Sequence, residues 1–110
     1  MKTYYLVLDL KNDADLIEAY EQHHKAVWPE IIEQIKLTGI IDCQIYRAHN
    51  RLMMVLQTQD DFSFEHKANL DAQSAKVQEW EALMWRYQQA IEGSKPNEKW
   101  QLMSQLFSLT

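Results

Sequence analysis

The sequence predicts an α+β domain in which one antiparallel sheet carries helices on a single face, the arrangement of ferredoxin-like proteins. Three observations predict it: segments whose apolar residues alternate with period two, segments whose apolar residues recur every three or four positions, and the order of these segments. That order is strand, helix pair, strand, strand, helices, strand. The chain of 110 residues forms a single domain over 1–110.

The first strand and the first two helices are predicted by short-range signals. Thr3–Leu10 alternates in the manner of a strand, and Asn12 or Asp13 is placed to cap a helix that runs to about Val27. Trp28-Pro29 then separates two helices, because proline disfavours the helical conformation in the residue before it and suits the first turn of a new helix.

A hairpin is predicted in the middle of the chain. Gly39 stands where a left-handed helix cap belongs. Ile40–Tyr46 and Leu52–Thr58 alternate again and flank the short polar connection Arg47–Arg51. We therefore expect two antiparallel strands with His49 at the tip of the turn.

Two helices and a last strand are predicted in the remainder. Asp60 or Asp61 is placed to cap a short helix. A longer helix is predicted over 74–92, and Trp100–Leu109 is predicted as the closing strand. The apolar stripe of the longer helix consists of Val77, Trp80, Met84, Tyr87 and Ile91.

The first three predicted strands carry apolar residues on both faces, whereas the helices cover only one face. A second copy of the same sheet, packed face to face, would cover the other. We therefore predict a homodimer.

Composition and charge exclude several classes of partner. The net charge is −5, and the 11 lysines and arginines are scattered, which argues against nucleic acid. The single cysteine, Cys43, leaves no internal disulfide. No apolar run reaches the length of a membrane span and the first residues do not resemble a signal peptide, so we expect no membrane partner and a cytoplasmic protein.

The local pattern that points to chemistry lies on the first helix. Leu16, Tyr20 and His24 occupy successive turns of one face, and His24 falls in the last turn, where unpaired carbonyl groups favour a positive imidazolium. A histidine there can exchange a proton near neutral pH. The other interpretation is a partly buried histidine that is hydrogen-bonded to a neighbour.

Nucleotide-binding and nucleophile motifs are absent, and no two histidines have the spacing of a helical metal site. We therefore expect neither a cofactor nor a metal. The aromatic stripe containing Trp80, Met84 and Tyr87 is typical of a core, but the same side chains also make the flat walls of a pocket for a small amphipathic molecule such as a sugar. Such a pocket with one titratable group suits proton transfer.

One set of residues is similar to a known family. Tyr20-x-x-x-His24-x-x-x-Trp28-Pro29-Glu30, then Ile45-Tyr46, Val77-Gln-Glu-Trp80 with Met84, and Phe107-x-Leu109 resemble the L-rhamnose mutarotase family, which has relatives that act on L-fucose. The resemblance runs essentially end to end. It implies an isomerase of carbohydrate metabolism, a homodimeric α/β barrel that interconverts the α and β anomers of a 6-deoxy hexose.

The resemblance also implies roles for individual residues. His24 would be the proton donor, and Tyr20 and Trp80 would contact the sugar, with Tyr46 bounding the same pocket. Two positions depart from the rhamnose-specific pattern: Cys43 stands where a second pocket tyrosine is expected, and Glu81 stands where a tryptophan is expected. We include Glu81 among the expected substrate-binding residues, and the departures leave the choice between L-rhamnose and L-fucose open.

The fold leaves other functions open. A dimeric α/β barrel of this kind could bind a small ligand without turnover or act as a cofactor-free oxygenase. A pure interaction module would leave Tyr20 and His24 as ordinary boundary residues. Anomer exchange in freshly dissolved sugars separates these alternatives.

Overall fold

In the computed structural model, which describes residues 1–110, the chain forms one antiparallel sheet and four helices. The elements in order are β1 (Lys2–Leu10), α1 (Ala14–His24), α2 (Pro29–Leu37), β2 (Ile40–Ala48), β3 (Arg51–Thr58), α3 (Phe64–Ala72), α4 (Ala75–Trp85), β4 (Gln88–Gln89) and β5 (Gln101–Leu102). The strand order is β2-β3-β1-β4, and β5 also pairs with β1. The predicted α+β class is confirmed.

β1 is the centre of the sheet. It pairs with β3 from Lys2 opposite Thr58 to Asp9 opposite Arg51. Its alternation places Leu8 and Leu10 completely out of solvent on the side of the helices. This strand was predicted correctly because its period-two pattern is continuous.

The helix pair was also predicted correctly. The Asp13 side chain accepts hydrogen bonds from the backbone N–H groups of Asp15 and Leu16, at 3.0 and 3.1 Å, and so caps α1. α1 ends at His24, earlier than the predicted Val27. Trp28 is extended and Pro29 begins α2, as their order in the sequence predicts.

The hairpin of β2 and β3 turns through His49 and Asn50. His49 has a φ of 55°, in the left-handed region, so its predicted place at the tip is confirmed. The pairing register shifts between Ile40 and Asp42 at the start of β2. Such a shift inserts one residue and thereby exchanges the faces on which later side chains of the strand lie.

Two predicted helix boundaries were wrong. Ser63, not Asp60 or Asp61, caps α3: its hydroxyl accepts a hydrogen bond from the His66 N–H at 3.0 Å. α4 ends at Trp85, and Gln88–Gln89 forms the short strand β4 opposite Asp9 and Leu10. Tyr87, just before β4, is buried because its ring packs against Tyr20 and His23 of α1. It therefore belongs to the apolar stripe without being helical.

The closing strand is much shorter than the predicted Trp100–Leu109. Only Gln101 and Leu102 pair with β1, and the Met103 N–H donates to the Tyr5 carbonyl at 2.8 Å. Beyond this point the side chains of Leu106 and Phe107 are 97% and 76% exposed. The alternating pattern is present there, but this segment makes no backbone hydrogen bond to the sheet, although the edge of β1 before Tyr5 is unpaired on that side.

The core consists of two apolar clusters between the sheet and the helices. The larger one comprises Leu10, Tyr20, Ile31, Leu52, Val77, Trp80, Met84 and Tyr87. The smaller one comprises Leu6, Ile40, Leu56 and Phe62. The larger cluster brings α1 and α4 together over β1 and thereby positions the site described below.

None of the four helices combines the length and the apolar character needed to cross a membrane.

Candidate active site

A cavity of about 580 Å³ lies between the sheet and helices α1, α2 and α4. Small-molecule sites in proteins commonly have volumes of about 300–1,000 Å³. Most side chains around this cavity are apolar, and a few polar ones are placed among them. The lining residues that matter chemically are Tyr20, His24, Cys43, Trp80, Glu81 and Gln88.

His24 is held in one orientation by the last turn of α1. Its Nδ1 lies 2.9 Å from the Tyr20 carbonyl oxygen. A carbonyl oxygen can only accept, so Nδ1 carries the hydrogen and Nε2 of the neutral ring is left as a proton acceptor. Nε2 has no hydrogen-bond partner within the protein. The cavity therefore holds one available imidazole nitrogen.

The charge of His24 differs from the sequence-based prediction. Burial lowers the pKa of His24, and the hydrogen bond to the Tyr20 carbonyl offsets this only in part. The helix end does favour the imidazolium, since the Tyr20 carbonyl raises the pKa of His24, but the loss of solvation outweighs this preference. At neutral pH the ring is a neutral base.

Tyr20 lies beside His24 on the same face, one turn earlier, and the two ring centroids are 4.3 Å apart. Its hydroxyl accepts a hydrogen bond from Gln88 Nε2 at 3.2 Å. Burial raises the pKa of Tyr20 to about 12, and the hydrogen bond from Gln88 lowers it by less. The phenol therefore keeps its proton and can donate it in a hydrogen bond.

Trp80 forms one wall of the cavity from α4. Its ring meets the His24 ring edge to face, with centroids 5.8 Å apart, and meets the Trp28 ring in the same way at 5.0 Å. Such contacts fix the indole rigidly. The structure thus brings Tyr20, His24 and Trp80 together, as the resemblance implies.

Glu81 follows Trp80 and also lines the cavity. Its carboxylate accepts a hydrogen bond from Lys99 Nζ at 2.7 Å, and about half of the side chain remains accessible. The carboxylate therefore retains free acceptor positions at the cavity while its charge is balanced.

Tyr46 does not line the cavity, so the prediction that it bounds the pocket was wrong. Strict alternation from Ile40 would put Tyr46 on the helix side of the sheet, but the register shift at the start of β2 puts Cys43 and Ile45 there instead. Tyr46 lies on the opposite face, half exposed, and its hydroxyl donates to Gln44 Oε1 at 2.6 Å.

Cys43 occupies the position on the cavity side. Burial raises the pKa of its thiol, so the side chain is neutral and weakly polar.

His23, next to His24, does not line the cavity. Its Nε2 lies 3.2 Å from the Tyr87 hydroxyl. The two histidines are thus separated as the helical spacing predicts. No three His, Cys, Asp or Glu side chains lie close enough together to hold a metal ion.

Two residues of the site were not predicted from the sequence. Gln88 was predicted to continue a helix, and Lys99, the partner of Glu81, was not expected at the cavity. Gln88 lies between the stripe positions Tyr87 and Ile91, where a polar residue is ordinary in a helix, so the spacing gave no signal for it.

The chain matches one family model and is similar to two known proteins. The family model described as L-rhamnose mutarotase matches residues 3–109. An L-fucose mutarotase of Xanthomonas campestris pv. campestris is 42% identical over 106 residues, covering 94% of this chain and 85% of the relative. A UPF0734 protein of Dictyostelium discoideum is 34% identical over 115 residues, covering 98% and 90%.

Two solved structures share the fold. The L-rhamnose mutarotase FA22100 of Formosa agariphila matches over 100% of both chains, with a TM-score of 0.72 and 18% identity. The tetracenomycin F2 cyclase of Streptomyces glaucescens matches over 100% of this chain and 98% of its own, with a TM-score of 0.56 and 18% identity. At that level of identity these likenesses concern the fold alone.

Proposed function

The chain belongs to the L-rhamnose mutarotase family and is an isomerase of sugar anomers, and on that premise we propose its substrate, its acid–base group and its assembly. The substrate is a 6-deoxy hexose, L-fucose or L-rhamnose, and the acid–base group is His24. L-Fucose is the first candidate, because the relative named for L-fucose is 42% identical to this chain. The apolar walls of the cavity suit the C6 methyl group, which a 6-deoxy hexose carries in place of a hydroxymethyl group.

The observation that carries the mechanism is the orientation of His24. Its Nδ1–H is engaged by the Tyr20 carbonyl, which leaves the unprotonated Nε2 as the basic atom at the cavity. In the proposed reaction Nε2 takes the proton of the anomeric hydroxyl. The bond between C1 and the ring oxygen breaks as the carbonyl of the aldehyde forms, and the imidazolium gives the same proton to the ring oxygen.

Rotation about the C1–C2 bond then presents the other face of the aldehyde. The hydroxyl group that formed from the ring oxygen attacks this face. His24 takes the proton of this hydroxyl and gives it to the carbonyl oxygen, and the opposite anomer forms. The anomeric and ring oxygens are both bonded to C1, so one imidazole can serve both. Such positioned proton transfer accelerates reactions by about 10²–10⁴-fold.

Two further side chains are proposed to hold the sugar. Trp80 supplies a rigid apolar wall beside His24, and Glu81 accepts hydrogen bonds from sugar hydroxyls with Lys99 balancing its charge. Tyr46 is not assigned to the pocket of its own subunit, because it lies on the opposite face of the sheet.

We propose a homodimer formed through that opposite face. Tyr5 and Tyr46 are about half exposed there, and no helix of the same subunit covers them. The exposed apolar tail, with Leu106 and Phe107, adds to the surface that a second copy would bury. The cytoplasmic location predicted from the sequence stays a prediction.

The test is exchange spectroscopy by NMR on equilibrated sugars, which measures the rate between the two anomeric proton signals. We expect the rate for L-fucose or L-rhamnose to rise in proportion to protein concentration, while D-glucose stays near its spontaneous rate. Binding without acceleration of either sugar would favour the ligand-binding alternative instead.

A further inference from the structure

Gln88 carries the only buried side-chain polar atom of the protein that lacks a hydrogen-bond partner, its Oε1. The residue is only 5% exposed and lies on the lining of the cavity. Buried polar atoms are nearly always paired, and an unpaired one is costly. An unpaired acceptor at the wall of a cavity can accept a hydrogen bond from a donor group of the bound ligand.

The position of Gln88 is set by two contacts. Its backbone lies in the edge strand β4, opposite Leu10 of β1. Its Nε2 donates to the Tyr20 hydroxyl at 3.2 Å. A carboxamide turned by 180° would accept from the Tyr20 O–H and leave its own N–H groups unpaired. In the orientation of the structure, the Nε2 donates to Tyr20 and the Oε1 is the atom without a partner.

The same bond sets the direction of the Tyr20 hydroxyl. The phenol oxygen accepts from Gln88, and the phenol keeps its proton, so its O–H is free to donate elsewhere. Gln88 Oε1 and the Tyr20 O–H thus provide one acceptor and one donor side by side. A sugar hydroxyl both donates and accepts, so the pair is complementary to a single hydroxyl group.

We propose that Gln88 is a substrate-binding residue that determines specificity, with Oε1 accepting a hydrogen bond from a ring hydroxyl that Tyr20 also contacts. The inference rests on the proposed function. L-Fucose and L-rhamnose differ in the orientation of the hydroxyls on C2 and C4, so the hydroxyl that selects between them is one of these two. A sugar that lacks it, or holds it on the other side of the ring, leaves Oε1 unpaired.

The test pairs one substitution with one missing hydroxyl. Exchange rates are measured for the preferred sugar and for its 2-deoxy and 4-deoxy analogues, and the spontaneous rates are subtracted. Each rate is measured with the wild-type protein and with Gln88→Met, a variant that keeps the length of the side chain. In the wild type one analogue is expected to lose roughly 10- to 100-fold in kcat/KM. In Gln88→Met the preferred sugar falls by a similar factor, and that analogue is then exchanged as well as the parent sugar.

Two further variants separate contact from folding. Gln88→Glu retains an acceptor at the same place and is expected to discriminate against the analogue more strongly than Gln88→Met does. Thr58→Val removes a completely buried hydroxyl outside the cavity that donates to the Gln59 carbonyl at 3.0 Å. We expect this control to lower the stability and to leave the ratios of exchange rates between the sugars as in the wild type.

Equal losses for every sugar in Gln88→Met, with all ratios unchanged, would overturn the inference and leave the proposed function standing. If Gln88→Met does not fold, the same ratios in Gln88→Glu decide the matter: ratios identical to the wild type support an acceptor, and ratios near one overturn it. A wild-type protein that exchanges no 6-deoxy hexose overturns both proposals.

Discussion

Replacing Tyr20 with phenylalanine should destabilise the protein through Gln88. The hydroxyl at Tyr20 is the only partner of Gln88 Nε2, and Oε1 is already unpaired, so Tyr20→Phe leaves a buried carboxamide with no hydrogen bond from its side chain. The ring itself, and its packing against His24, are retained. Leaving a buried polar group unpaired costs about 1–3 kcal/mol. For a domain of about 100 residues, a loss of 2 kcal/mol lowers Tm by roughly 8–16 °C.

The assays are urea denaturation for the free energy of unfolding and thermal unfolding for Tm, both followed by tryptophan fluorescence and far-UV circular dichroism. All variants are compared at one protein concentration, because the apparent stability of an oligomer depends on concentration. Tyr4→Phe is the matched control. Tyr4 packs against Phe62 and Phe64 in the smaller core cluster, and its hydroxyl makes no hydrogen bond within the protein. We expect this control to lose less than about 0.5 kcal/mol. Equal stabilities for the two variants would refute the pairing of Tyr20 with Gln88.

Three other predictions use different parts of the structure. Anomer exchange should fall with decreasing pH around an inflection below 6.5, because burial lowers the pKa of His24 and the reaction needs the neutral imidazole. The stability should also fall as the pH decreases from 6.5, because His24 in the unfolded chain takes up a proton at a higher pH than His24 in the folded protein does. Asp13→Ala should cost about 1 kcal/mol in chemical denaturation, since it removes the cap of α1. Sedimentation should give a dimer at micromolar concentration, and a monomer there would contradict the proposed interface.

Much of the fold is predictable because its signals are local. The cap at Asp13, the break at Trp28-Pro29 and the left-handed Gly39 each depend on a few neighbouring residues. The alternation of β1 is similarly local, although it also reports burial. These features were predicted correctly from the sequence.

The features that were predicted wrongly depend on distant contacts. Tyr87 continues the helical spacing of α4, yet its carbonyl accepts from the Lys11 N–H at 2.8 Å and the next two residues pair with β1. Spacing alone cannot distinguish this short strand from one more turn of helix. The tail after Leu102 alternates like a strand, yet beyond Met103 it makes no backbone hydrogen bond to the sheet, so alternation alone does not determine pairing.

The residues of the site also differ in whether local signals or distant contacts place them. The shared face of Tyr20 and His24 follows from helical geometry, whereas the approach of Trp80 depends on how α1 and α4 pack and was expected only from the family resemblance. Tyr46 was misplaced because a one-residue register shift exchanges the two faces of β2. Gln88 was missed because its significance lies in an atom left unpaired by the complete fold.

The most direct test of the proposed mechanism compares His24→Ala with His23→Ala by exchange spectroscopy. His24 Nε2 is the proposed base in the cavity, whereas the neighbouring His23 contacts Tyr87 outside it. We expect His24→Ala to lose about 10²–10⁴-fold in the accelerated rate with its circular dichroism spectrum unchanged. His23→Ala should keep nearly full activity and lose only the roughly 0.5–1.5 kcal/mol of its hydrogen bond in stability. Equal losses in both variants, or full activity in a folded His24→Ala, would contradict the assignment of His24 as the group that moves the proton.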